Sequence, residues 1–336
     1  MIINKVILHV LDKSAELPVL NDVEDAISPE LDAFYQKIIR RVLRDDDLRK
    51  ATFNDYNENE IRVCADHILY DENSFVLSSQ GIAGALYSTM GTNAELDSCD
   101  LAVVLFTHKD QKYVAIIKLD YKKLYTHEIV YNEETEKVSV KMVANDIAIQ
   151  ASQKIIHAAI IGVSGINDEW HLRVLDKAAE KTETDSSFVT DFLKCEKIRD
   201  EKYLTKSFRN VTDNWITNAY GNNVKEAEDV RSMLNYVLKE DNNVDVDKFV
   251  DECIVDEERK ESYRELLEDK KIEGEFPIDK TWVEKKLKRR GIKTNTGFDI
   301  KGLLEDFEDP MKYSLRQNQD GTVDITIKNV EFYEEK

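Results

Sequence analysis

The sequence lacks most of the features that announce a chemistry. Its four cysteines, Cys64, Cys99, Cys195 and Cys253, are widely scattered. With no C-x-x-C pair and no cysteine–histidine cluster at zinc spacing, they read as reduced thiols in a reducing compartment, which excludes a disulfide scaffold or a structural zinc site. The histidines His9, His67, His108, His127, His157 and His171 show no H-E-x-x-H spacing. G-x-S-x-G, G-x-x-x-x-G-K-[ST] and G-x-G-x-x-G are absent as well, so the familiar hydrolase, P-loop and dinucleotide signatures do not apply. Two G-x-x-G strings, Gly81 to Gly84 and Gly162 to Gly165, have no basic neighbours and read as helix packing and a turn. Long apolar runs are missing too. The amino-terminal run from Val6 to Leu11 is interrupted by His9 and closed by Asp12, too short for a signal sequence or a membrane span, and no later stretch reaches membrane length. The expected address is the bacterial cytoplasm, with no membrane and no cofactor.

Basic residues are in short supply: 47 Lys and Arg stand against 67 Asp and Glu, a formal net charge of −20. Such a balance argues against nucleic acid as a partner, because affinity for DNA comes largely from Lys and Arg displacing condensed counterions. What decides the matter is whether bases are segregated onto one surface.

A chain of 336 residues with 42% hydrophobic content can bury a sizeable core in two domains or one elaborated domain. Alternation at Ile2, Ile3, Val6, Leu8 and Val10 predicts a strand, and helical periodicity predicts helices over about 30–50, 59–69 and 75–90. The runs LAVVLF and YVAIIKLDY around the polar turn His108–Lys112 read as a hairpin at the centre of a sheet, with VSVKMV, KIIHAAIIG and HLRVLD extending it. From about Thr184 the character turns helical, beginning with FVTDFLKCEKI, and residues 221–275 carry 18 acids against 9 bases. The chain closes with YSLRQNQDGTVDITIKNV, a β-hairpin around Asp320-Gly321. The expected class is α+β (mixed α/β): an N-terminal domain, 1–183, with a central sheet, then a mainly helical region, 184–336, ending in a β-hairpin.

Charge reverses abruptly after Pro277. A helix over Thr281 to Arg290, capped by Asp279 and stopped by Gly291, is expected to carry Lys280, Lys285, Lys286, Lys288, Arg289, Arg290 and Lys293 in or beside it, with Glu284 as the one acid. On a helix Lys285, Lys288 and Arg289 share a face suited to phosphates. Trp282 and Leu287 would anchor it, and the next hairpin could flank a duplex as a wing does. The plainer alternative is a solvated face paired with the acidic helices before it. A second basic face, Lys37, Arg40, Arg41 and Arg44, runs straight into Asp45–Asp47. A nuclease pattern also comes into view: Asp100 on one strand and Ile116-Ile117-Lys118 on the next have the layout of D…(D/E)-x-K, but the second carboxylate position is Ile116 and the metal site is incomplete unless Asp120 or a glutamate elsewhere substitutes. No catalytic or metal-ligating residue is assigned.

YLTKSFRNVTDNWI at 203–216, FPIDKTWVEKKLKRRGIKTNTGFDIKG at 276–302 and the hairpin after Tyr313 resemble the bacterial 37-kDa nucleoid-associated protein family, also called NdpA, in segment order as in residues. The resemblance implies a protein of the cytoplasm and nucleoid, associated with double-stranded DNA directly or through DNA-bound proteins, and it covers nearly the full chain; the family offers no catalytic signature to carry over. Lys206 and Arg209 in the first of these segments then join the candidate DNA contacts. Three readings stand: a DNA-binding nucleoid component with little sequence preference; an acidic interaction protein or DNA mimic that grips a DNA-processing protein; and a divergent metal-dependent nuclease acting against foreign DNA. A homodimer is compatible with each.

Overall fold

The computed structural model describes residues 1–132, 136–150, 152–163, 171–179, 184–221 and 223–334. Two compact units appear, Met1–Ile198 and Arg199–Lys336. The first of the two G-x-x-G strings lies in a helix as expected; in the second, Gly162 ends a strand and Gly165 lies outside the described residues.

In Met1–Ile198 the strands are β1 (Ile2–Leu11), β2 (Leu48–Phe53), β3 (Cys99–His108), β4 (Gln111–Asp120), β5 (Lys122–Asn132), β6 (Lys137–Ala148), β7 (His157–Gly162), β8 (Leu172–Asp176) and β9 (Cys195–Lys197). Seven form one antiparallel sheet in the order β1-β3-β4-β7-β8-β2-β9. The β3–β4 hairpin lies inside it, as the two dense apolar runs foretold. Its two-residue turn, Lys109-Asp110, has φ of 50° and 61°, the mirror-image geometry that matches the twist of paired strands.

Both faces of this hairpin are covered, which is why its sequence shows apolar runs rather than alternation. Leu101, Val103, Leu105, Val114 and Ile116 pack with the helices α2 (Glu60–Tyr70) and α3 (Phe75–Thr92), through Ile61, Ile68, Phe75, Ile82 and Leu86. Ala102, Val104, Phe106, Ala115, Ile117 and Leu119 pack with α1 (Pro29–Leu43), through Tyr35, Ile38, Ile39 and Val42. Each fully buried aliphatic side chain here contributes about 1.5–3 kcal/mol.

Three sequence expectations need correction. The first helix ends at Leu43 rather than near Lys50: Asp45 and Asp47 reach Lys177 at 2.6 and 3.6 Å, and the next residues pair as β2 with β8 and β9. VSVKMV does not extend the central sheet. It lies in β6, whose partner is β5, in a separate two-stranded ribbon, and both edges of β4 are already taken by β3 and β7. FVTDFLKCEKI is not an ordinary helix but a short π-helix, Phe188–Leu193, closed by Lys194 at φ 49° and followed by β9.

In Arg199–Lys336 the helices are α4 (Glu201–Ala219), α5 (Val224–Glu240), α6 (Val246–Cys253), α7 (Glu257–Asp269), α8 (Lys280–Lys286) and α9 (Leu304–Glu308). Asp200, Asn223, Asp245, Asp256 and Asp279 each cap the helix that follows by accepting a first-turn amide, worth about 1 kcal/mol apiece. Phe208, Trp215, Leu234, Phe249, Tyr263, Leu267 and Trp282 form one core. Three antiparallel ribbons complete the unit: β10 (Asn243–Asp245) with β11 (Glu275–Pro277), β12 (Arg289–Lys293) with β13 (Asp299–Leu303), and β14 (Tyr313–Gln317) with β15 (Val323–Ile327). The last is the expected closing hairpin, with Gly321 at φ 82° in its turn.

Candidate nucleic-acid interface

Asp279 does cap the basic segment, accepting the Trp282 amide at 2.9 Å, and Trp282 and Leu287 are buried as anchors. The helix, however, stops at Lys286 and does not run to Arg290. Lys288 lies beyond its cap and Arg289 opens β12, so Lys285, Lys288 and Arg289 share no helical face, and Gly291 is a strand residue rather than a stop. The reason is a period of two hidden in R-R-G-I-K. Arg290 and Ile292 turn inward while Arg289, Gly291 and Lys293 stay exposed, and the strand pairs residue by residue with Lys301, Ile300 and their neighbours.

Arg290 is therefore not available to phosphates. Its guanidinium donates two hydrogen bonds to the Glu228 carboxylate, at 2.7 and 2.6 Å. Arg231 joins the pair, 3.2 Å from Glu228 and 3.0 Å from Asp213. Burial pushes the Glu228 carboxyl up, but the hydrogen bonds and charge of Arg290, helped by Arg231, more than offset this and hold it below the ordinary range. Lys280 is also committed: its ammonium donates to the Leu238 and Lys239 carbonyls, at 3.1 and 2.8 Å, at the end of α5. Lys285 and Lys286 are exposed near the end of α8.

The Glu228–Arg290 pair lines a cleft of about 1290 Å³ bounded by α4, α5 and the ribbons β12–β13 and β14–β15. Arg209, Arg289 and Lys293 also line it. Among the described residues the side chains of Lys288 and Arg289 make no ion pair, and Lys293 faces Asp299 across the ribbon. Phe298, 68% exposed, stands in the turn of the same ribbon. The sequence reading passed over it, although an aromatic ring inside the polar stretch TNTGFD was the available signal. Lys206 is half-buried on α4, one turn or less from Arg209.

The profile of a family described as nucleoid-associated protein YejK matches residues 7–335. The chain belongs to that family. No curated protein matches it. The family membership agrees with the resemblance carried by 203–216, 276–302 and the closing hairpin, and it makes nucleoid association the frame for the charges just described.

The remaining sequence candidates lie in the other unit. On α1, Arg41 is tied to the Ser152 and Gln153 carbonyls and Arg40 to Gln36, while Lys37 and Arg44 are exposed. For the nuclease pattern, strand register is decisive. Asp100 pairs with Leu119 and so points to the α1 face, whereas Lys118 pairs with Leu101 and points to the α2–α3 face. Ile116 is core on the latter face. Asp100 accepts the Tyr121 hydroxyl at 2.8 Å, and buried Lys118 pairs with Asp120. Among the described residues no three His, Cys, Asp or Glu side chains gather as a metal site.

On the Lys118 face, buried Asp176 accepts from Lys197 at 3.1 Å and from the Ser186 amide at 3.1 Å. His157 lies 3.5 Å from the same carboxylate, and burial lowers its basicity against the pull of Asp176. This polar cluster joins β7, β8 and β9, a structural role that local sequence pattern could not reveal. No helix among the described residues is long and apolar enough to cross a membrane.

Proposed function

We propose that this protein associates with DNA in the nucleoid, largely without sequence preference, through the cations that the C-terminal unit leaves exposed. The observation that carries the reading is the sorting of one charged segment. Arg290 and Lys280 are consumed by internal partners, while Lys288, Arg289 and Lys293 remain exposed beside the cleft that Arg209 and Phe298 also line. Lysine and arginine side chains of this kind contact phosphates and carry little base information, and an exposed ring beside them suits stacking on an unpaired base. Family membership supports a nucleoid setting, hence a place in the bacterial cytoplasm.

The test is a duplex-DNA titration at two salt concentrations with wild type and a Lys288→Ala/Lys293→Ala/Arg289→Ala variant. Each phosphate contact removed flattens the log–log salt dependence by about 0.9, so the triple variant should bind weakly and with a visibly shallower slope. Absence of salt-sensitive binding by wild type at low salt would sink the reading.

A second reading has its own observation. All six acids of α7, Glu257, Glu258, Glu261, Glu265, Glu268 and Asp269, are exposed, whereas its three bases, Arg259, Lys260 and Arg264, are half-buried and paired with Glu226, Glu257 and Asp251. The helix thus presents an acidic face suited to a basic DNA-processing protein. Association with such a partner by wild type, with little affinity for DNA when pure, would favour it.

A further inference from the structure

The cleft bounded by α4, α5 and the ribbons β12–β13 and β14–β15 runs against the charge of the chain. Among the described residues, five cations but only three carboxylates line it, in a protein of net charge −20. Arg231 and Arg290 are matched by Asp213 and Glu228, which leaves Arg209, Arg289 and Lys293 against Asp324. Asp299, which faces Lys293 across the ribbon, is held by Lys301 at 2.7 Å. A concave surface with a surplus of positive charge concentrates its field on an anion.

The same cleft offers apolar surface. Ile292 and Ile300 from β12–β13, and Leu315 and Ile325 from β14–β15, line it half-buried rather than covered. Phe298 stands two residues before Ile300 and is 68% exposed. Among the described residues no other ring stacks on it. Its backbone is fixed all the same. The Phe298 amide donates to the Thr294 hydroxyl at 3.0 Å and its carbonyl accepts the Thr294 amide at 2.9 Å, while Gly297 supplies the left-handed residue of the turn at φ 94°. A ring placed by its own turn and lacking a partner has little backbone freedom left to lose when a flat ligand covers it.

An inorganic anion would use the cations of this cleft and leave the ring and the aliphatic side chains in water. Nucleic acid uses both, because its phosphates alternate with bases whose faces are apolar. In a duplex those faces are covered by neighbouring bases, and a side chain reaches one only after the step is unstacked. In a single strand they are open. Size agrees: about 1290 Å³ exceeds the roughly 300–1,000 Å³ of a small-molecule pocket and suits a few nucleotides, the low end of the roughly 4–16 that a single-strand-binding module covers.

We propose that this cleft is a site for single-stranded DNA, with Phe298 as the platform on which a base stacks and Arg209, Arg289 and Lys293 as its phosphate contacts. The inference rests on the DNA association proposed above and names the form of DNA that the cleft takes. A duplex meets the exposed cations from outside and gains nothing from the ring.

The probe is a fluorescein-labelled single strand of mixed sequence, about 20 nucleotides long so that it exceeds one site, with the blunt duplex of the same sequence beside it. Both are titrated with the full chain and read by anisotropy. The single strand should bind more tightly. Phe298→Ala should melt like wild type and weaken single-strand binding about 5- to 150-fold, the range for losing one stacked base. Its salt slope should not change, because no phosphate contact is lost, and its duplex affinity should stay at the wild-type value. Phe298→Trp should restore single-strand binding. Lys293→Ala, by contrast, should flatten the single-strand slope by about 0.7. Unchanged single-strand affinity in Phe298→Ala, or tighter binding of the duplex by wild type, overturns the inference while DNA association through the cations stands. Oligoglutamate that displaces the labelled strand as well as unlabelled strand does also overturns it, because the cleft then reads charge alone. If neither form of DNA binds at low salt, this inference and the DNA-association reading fall together.

Discussion

In the unit Met1–Ile198 the side chains of Lys118, Asp176 and Lys197 are 3%, 0% and 6% exposed and each has an oppositely charged partner. In Arg199–Lys336 the pair at the heart of the charge network, Arg290 and Glu228, is only partly sheltered, at 18% and 23%, and exposed cations flank it. Burying charge is costly and is sustained only when every member is partnered. The sheet unit therefore uses charge to hold strand ends together, while the helical unit uses it to shape a surface. The difference teaches where to look for function: an acidic chain can still present phosphate contacts if one segment releases some of its cations and retains others.

The comparison can be broken most forcefully from the apolar side. Phe208 is fully buried and meets the rings of Phe249 and Phe276. Phe208→Ala should cost about 3–5 kcal/mol. If the two units are separately cored, hydrogen exchange will show α4, α5 and α7 losing protection while β3 and β4 keep theirs. Uniform loss across both units would mean that they do not unfold as separate bodies.

A smaller effect belongs to the half-sheltered ion pair. Arg290→Ala leaves the Glu228 carboxylate with Arg231 alone and should destabilise by roughly 1–3 kcal/mol, between the values for exposed and buried pairs. Because Glu228 is held below its unfolded value of 4.5, its contribution is complete above that pH and is lost as pH falls through the depressed folded value. Wild type should thus lose stability between neutral and acid pH more steeply than Arg290→Ala in denaturant titrations.

The sheet unit offers the matching test with the opposite kind of group. His9 accepts the Asn21 amide at Nδ1, 3.1 Å away, so its Nε2–H donates to the Ser79 hydroxyl at 3.1 Å. Burial lowers its pKa from 6.5 to about 4. The unfolded chain takes up this proton first, so the stabilising contribution is complete above about pH 6.5 and is lost as pH falls towards 4. A His9→Gln variant should show a shallower fall in melting temperature over that window, and an equal fall in both proteins would remove His9 from the account.

How much of this was legible depended on range. The β3–β4 hairpin, the caps and the closing ribbon are written in adjacent residues: apolar runs around a polar turn, Asp or Asn before a helix, Asp-Gly between alternating strands. The fate of VSVKMV was not, because a strand's own pattern does not say whether a sheet edge is free to receive it. Nor was the break in the basic segment. Counting its charges suggested a helix, yet the pairing of Arg290 with Glu228, 62 residues away, and of Ile292 with Ile300 decides for a strand. Family resemblance was legible in three segments, whereas the sorting of their cations into committed and exposed required the tertiary structure.

Arg289 and Arg290 bring the comparison down to neighbouring residues. One side chain points outward with no ion-pair partner among the described residues, while the other points inward onto a carboxylate. Surface substitutions away from any special contact change stability by no more than about 0.5 kcal/mol, so Arg289→Ala should melt like wild type. If Arg289 contacts a phosphate, the same variant should lose DNA affinity and reduce the salt slope by about 0.9. Arg290→Ala should do the reverse, melting early while its slope stays near that of wild type in conditions where it remains folded. Measured side by side, the pair separates a cation that builds the cleft from one that uses it; equal losses of stability in both would show that the outward position of Arg289 carries structure as well.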